Sequence, residues 1–214
     1  MLMSPSRSHT ARASRMIAAW KTSPAATLPS SRPLHDDVFA ANRVRTRVDL
    51  AVAASDGRSR VARLHEAGAL RVRFPNPVGL ALEAVTINTA GGIAGGDTLD
   101  IALAVGPGAA LTVTSAAAEK VYRAAGAPAR MSVRLDVAPA GHLVWLPQET
   151  ILFDRAEVER GIAIDLAEDA RLVLGEALVF GRGAMGEVMH EGRGLDRWRV
   201  RRAGRLVFAD TLRL

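Results

Sequence analysis

The chain has 214 residues, with 28 lysines and arginines against 22 aspartates and glutamates for a net charge of +6. It contains no cysteine, which excludes disulfides, thiolate metal sites and cysteine nucleophiles. No apolar run approaches the ~20 residues that span a bilayer as a helix, and with aromatics at only 4% any core has to be built from small aliphatic side chains.

Residues 1–43 read as a basic leader. As far as Leu34 it carries Arg7, Arg12, Arg15, Lys21 and Arg32 among serines, prolines and alanines, with no acid. That composition belongs to disordered tails and transit peptides, and a disordered or mis-started N-terminus is expected. It lacks the hydrophobic centre of a secretory signal, so a cytoplasmic protein is expected.

From Val44 the chain changes to short alternating runs punctuated by Gly, Pro and Asp, the pattern of an all-β protein. The glycine-rich stretch from Asn88 to Thr98 has the spacing of a phosphate-binding loop but places Asp97 where that loop needs lysine. After it, Leu99, Ile101, Leu103 and Val105 alternate with Asp100, Ala102 and Ala104, a half-buried strand where a phosphate loop would open a helix. The G-x-G-x-x-G spacing of dinucleotide sites is missing as well. The segment therefore reads as a tight turn ending in an exposed carboxylate, and nucleotide binding is not expected.

Three similar units follow. Strands near Ile101–Val105, Val133–Val137 and Ile162–Leu166 are each followed by a turn and a second strand, around Gly108–Val113, Ala140–Trp145 and Asp169–Leu174. Each unit then runs from a glutamate to an aromatic: Glu119 to Tyr122, Glu149 to Phe153 and Glu176 to Phe180. A period of about 30 residues marks a stacked array, since one such unit cannot bury its apolar face alone. The expected fold is all-β: a β-solenoid-like stacked array of short strands with few or no helices. The helix-forming residues Ala116 to Lys120 fall within the repeat and are assigned to strand or turn.

If the units stack in register, Glu119, Glu149 and Glu176 line up on successive layers and attract cations. Oxygen ligands completed by water suit transient passage of a divalent metal better than storage. The alternative is structural, with Glu149 and Glu176 capping turns against Arg182 or Arg123. Glu149 and Asp154 also invite a carboxylate-pair glycoside hydrolase reading, a β-solenoid enzyme acting on carbohydrate; five residues apart on one strand, they would point to opposite faces. Near the end, Arg197, Arg199 and Arg201 line one strand face around Trp198. A lone tryptophan is a thin stacking platform, so this stripe reads as a solvated face or an acidic-protein contact in preference to a nucleic-acid site. No serine lies in a G-x-S-x-G setting.

Taken together, the stretches Asn88–Asp97, Ala118–Arg123, Trp145–Asp154 and Glu176–Arg182, with Gly68–Pro75 upstream, resemble the UreD (UreH) family of urease accessory proteins from about Val44 to Leu214. The resemblance implies a non-enzymatic chaperone that binds apo-urease and the accessory proteins UreF and UreG. It implies assistance in passing nickel into the urease active site, with nickel held only transiently and no tightly bound cofactor. Membrane and nucleic acid are not among the implied partners. The positions matching the family's acidic motifs are Asp97, Glu149, Asp154 and Glu176, expected along the nickel route. Glu119, Tyr122, Arg123 and Arg182 are expected in partner binding or structure. On this resemblance residues 44–214 form a UreD-like β domain that lacks the family's C-terminal segment.

Overall fold

A computed structural model of the protein describes residues 43–75 and 79–214; apart from Arg43, the expected leader lies outside the described residues. The strands are β1 (Arg45–Ser55), β2 (Arg58–Ala67), β3 (Leu70–Arg73), β4 (Leu82–Asn88), β5 (Thr98–Val105), β6 (Ala110–Ser115), β7 (Glu119–Val121) and β8 (Ala129–Val137). They continue as β9 (His142–Trp145), β10 (Thr150–Leu152), β11 (Ala156–Leu166), β12 (Arg171–Leu174), β13 (Leu178–Phe180), β14 (Gly192–Arg202) and β15 (Arg205–Arg213). Among the described residues the helical content is one 3-10 turn at Gly183–Met185. The segment after Ser115 forms a turn and then β7, as its place in the repeat requires.

The strands build three sheets, ordered β15-β14-β11-β8-β5-β1-β2, β12-β9-β6-β4-β3 and β13-β10-β7. Each repeat, β5-β6-β7, β8-β9-β10 and β11-β12-β13, gives one strand to each sheet, and equivalent strands pair in parallel. The chain therefore winds as a three-sided coil, the solenoid expected from the repeat. Antiparallel hairpins, β1-β2 and β14-β15, complete the two ends of the large sheet.

Alternation fixes what points inward. Register carries Leu103 onto Leu135 and Leu135 onto Ile164, Leu111 onto Leu143 and Leu143 onto Leu172, and Val121 onto Leu152, whereas Phe180, the next register partner, is exposed and lies outside this core. Leu103, Leu135, Ile164, Leu111 and Leu143 are at most 2% exposed. Burying such a side chain stabilises the fold by about 1.5–3 kcal/mol. Aliphatic columns running through successive layers thus form the core, which explains how a chain so poor in aromatics builds one.

The glycine-rich stretch supplies a partial extra layer. Ile93 bridges Val121 in parallel and exchanges backbone bonds with Lys120 and Tyr122. Its glycines permit close approach: a Cβ on Gly92 would overlap the Tyr122 ring, and one on Gly95 would lie 2.7 Å from the Ala124 Cβ. The Tyr122 hydroxyl donates to the Gly91 carbonyl at 2.9 Å, fastening the turn to the corner of the coil.

Candidate functional site

The interior at one corner of the coil holds buried polar groups. A cavity of about 140 Å³ spans three layers, from Asn88 and Glu119 to Glu176 and Arg160, with Met131, Trp145 and Thr150 in its wall. Glu119 opens β7, where register sets it beside the inward Thr150. The Asn88 side-chain amide donates to its two oxygens at 3.0 and 3.1 Å, and the Lys120 backbone N–H donates at 3.1 Å. Burial pushes the Glu119 carboxyl above its usual range, against the opposing pull of the Asn88 bond.

At the other end, Arg160 donates to Glu176 and forks onto Asp196, with Nε 3.0 Å from Oδ1. Trp145 Nε1–H donates to Glu176 Oε1 at 2.7 Å, and Trp198 Nε1–H donates to Asp196 Oδ2 at 3.0 Å. The Arg160 and Glu176 side chains are each 7% exposed. Burial acts to lower the Arg160 pKa, but the bonds to Asp196 and the attraction of Glu176 outweigh it and the group is held above its usual value. A guanidinium between two carboxylates and two indoles is therefore a satisfied, charged network inside an otherwise aliphatic coil.

The three glutamates do not form one row. Register pairs Glu119 with Thr150 and Thr150 with Leu178, so Glu149 stands one residue and Glu176 two residues ahead of the equivalent position. A one-residue offset reverses the side chain: Glu119 and Glu176 line the cavity while Glu149 does not. Glu176 is held by Arg160 rather than Arg182 or Arg123, which corrects the turn-capping reading.

Asp97 is also corrected: it is 8% exposed, not an exposed carboxylate. Its Oδ1 accepts from Val44 N at 2.9 Å and its Oδ2 from Ala94 N at 2.8 Å, so the residue ties the glycine-rich turn to the entry of β1. Asp154 plays a similar part at another turn, where its Oδ1 accepts from His190 N at 2.8 Å and Glu191 N at 3.1 Å. Those amides hold its carboxyl below the usual aspartate value. Glu149 precedes β10 and Asp154 follows it, so the hydrolase pair is separated by a strand, with one member bound to backbone.

On the outside of the same corner, the Tyr122 and Phe153 rings meet edge to face at 4.9 Å, and the Arg182 guanidinium lies 4.2 Å from the Phe153 ring centre. Arg182 Nε also donates to Glu187 at 2.6 Å. Tyr122 and Arg182 are thus brought together through Phe153 and clamp the corner of the coil. Arg123 is exposed, its backbone bridging Ala156. Arg197 and Arg201 are exposed on β14, whereas Trp198 donates inward to Asp196, so the stripe has no aromatic platform on its own face.

Asn88 and Trp145 fall within the matched stretches but carry no role there, whereas Arg160 and Asp196 are site residues that motif reading misses. Their signal is one of phase: Arg160 occupies the apolar phase of β11 between Val158 and Ile162, and Asp196 shares its phase with Trp198 and Val200. Among the described residues, no group of three or more His, Asp or Glu side chains is gathered as a metal-holding cluster. No helix among them is long and apolar enough to cross a membrane.

Comparison with known proteins places this geometry in a family. The chain is 60% identical over 177 residues to the urease accessory protein UreD of Rhodopseudomonas palustris strain BisB18, covering 83% of this chain and 64% of the relative. It is 58% identical over 177 residues to the protein of that name from strain HaA2, covering 83% and 63%. It is 57% identical over 178 residues to urease accessory protein UreD 3 of Bradyrhizobium sp. strain BTAi1, covering 83% and 64%. The chain therefore spans a little under two thirds of the length of these relatives. The family model described as UreD urease accessory protein matches residues 44–214, from the entry of β1 to the end of β15, and the chain belongs to the UreD family.

Proposed function

We propose that the chain acts in urease maturation as a non-catalytic scaffold, binding apo-urease together with the accessory proteins UreF and UreG. Nickel is the cargo, passing transiently into the urease active site with no tightly bound cofactor on this chain. The setting is the cytoplasm, and the partners are proteins rather than nucleic acid or membrane.

The observation that carries the reading is a cavity inside an aliphatic coil with two carboxylates, Glu119 and Glu176, in its wall, in a member of the UreD family. Burying a carboxylate costs several kcal/mol unless it is compensated. Two acids lining one interior space, Glu119 and Glu176, offer weak oxygen ligands of the kind that suits passage of a partly hydrated divalent cation better than its tight retention. Within this reading Glu119 lies on the route and Glu176 stands at its Arg160-covered end, while Asp97 and Asp154 hold the loops that shape the coil, and Glu149 faces away from the cavity. Tyr122, Arg123 and Arg182 belong to the corner presented to a partner.

The test is a pull-down of apo-urease and UreF, followed by nickel-dependent urease activation. The expected result is co-purification and activation, with activation reduced in Glu119→Ala and Glu176→Ala while complex formation persists. Absence of both binding and activation overturns the reading.

A further inference from the structure

We propose that Arg160 is a charge lock on the interior cavity: it turns divalent cations away from Glu176 while leaving neutral solutes free to pass. The inference rests on the reading of the interior as a nickel route.

The two ends of the cavity are built differently. Glu119 accepts only from neutral donors, the Asn88 amide and the Lys120 backbone N–H. Glu176 is covered by a fixed positive charge, with Oε2 on Arg160 and Oε1 on Trp145. A cation inside the coil is therefore drawn to Glu119, but at Glu176 it meets a guanidinium held within hydrogen-bond range of the carboxylate it would need. Like charges repel strongly where water is scarce.

The guanidinium has no slack. Asp196 takes its Nε and Nη2, Glu176 takes its Nη1, and Trp198 fixes the far side of Asp196. Arg160 and Asp196 are also register partners on β11 and β14. Since β14 pairs with β15 as a hairpin beside β11, displacing that hairpin withdraws Asp196 and frees one arm of the lock.

The experiment uses the full chain with Trp20 replaced by phenylalanine, so that the remaining indoles, Trp145 on Glu176 and Trp198 on Asp196, both report from the network. Quenching of their fluorescence is measured with Ni²⁺ and, separately, with neutral acrylamide. In this reference protein Ni²⁺ quenches poorly. In R160M/D196N, which leaves the net charge of the network unchanged, the Ni²⁺ quenching constant rises about fivefold or more while the acrylamide constant stays within about twofold. R160K retains the exclusion, because the charge rather than the fork repels the ion.

Parallel rises for both quenchers would show that Arg160 merely holds the wall together, and they overturn the proposal. No rise with Ni²⁺, or R160K quenched as strongly as R160M/D196N, overturns it equally. R160Q/D196N repeats the comparison with hydrogen-bonding side chains. Loss of folding in both double variants, seen by circular dichroism, assigns Arg160 to structure alone. The readout needs no urease, so a failed lock leaves the maturation reading standing, and failed maturation leaves the quenching result intact.

Discussion

Arg160 and Asp196 are register partners on adjacent parallel strands, joined by a guanidinium fork whose Nε lies 3.0 Å from Oδ1. Arg160 is thereby the cation shared by carboxylates from two parts of the coil. Replacing it alone leaves Glu176 and Asp196 buried without it. R160M is expected to lose about 3–5 kcal/mol of stability, and the neutral triple variant R160M/E176Q/D196N to recover most of that loss. Urea unfolding measures both.

Tyr122 and Gly92 form a second test. Y122F removes the bond to the Gly91 carbonyl and is expected to cost about 1 kcal/mol. G92A drives a methyl into the ring and is expected to cost about 1–3 kcal/mol. In a Y122A background the G92A penalty shrinks, which thermal unfolding of the four proteins resolves.

Asp97 accepts from two backbone amides 50 residues apart in sequence. Removing the carboxylate in D97A exposes both donors to the desolvation penalty, about 1–3 kcal/mol for each that finds no other partner. D97N keeps one acceptor oxygen and falls between D97A and the parent. Hydrogen exchange at the Val44 and Ala94 amides is the local readout, expected to accelerate in D97A.

Glu119 sets a pH dependence with a definite sign. Its folded pKa is raised above the ordinary value of 4.5 by burial, so the folded state binds the proton more tightly than the unfolded chain. Its contribution is fully favourable below pH 4.5 and is lost as pH rises through the folded pKa. E119Q is therefore expected to unfold at a higher temperature than the parent near pH 7, with the difference closing as the pH falls toward 4.5.

Asp154 has the opposite sign. The Glu191 and His190 amides depress its pKa below 3.8, so its contribution is present above 3.8 and fades as pH falls through the lower folded value. NMR titration of its carboxyl carbon is expected to give a midpoint under 3.8, and D154A to restore ordinary amide exchange at His190 and Glu191.

Much of the fold is written in the chain at the level of phase. Leu99, Ile101, Leu103 and Val105 alternate as a half-buried strand should and do occupy the interior, and the 30-residue recurrence is the pitch of the coil. The turns vary in length, so motif spacing does not set register: Glu119, Glu149 and Glu176 share a motif position but not a layer position. Asp97 looked exposed because its partners, Val44 and Ala94, are backbone groups that no side-chain pattern announces. Arg160 escapes motif reading for another reason, since its meaning depends on carboxylates 16 and 36 residues away.

The coil also determines how the molecule comes apart. Among the described residues each layer pairs with the layers beside it, so stability passes along the axis as nearest-neighbour terms. β15 pairs with β14 and, among the described residues, with no other strand. Opening of the β14–β15 hairpin meets its first substantial barrier at the Asp196–Arg160–Glu176 network. That network is thus also a ratchet tooth against unravelling, and amide protection is expected to climb in one step between β14–β15 and the layer of β11.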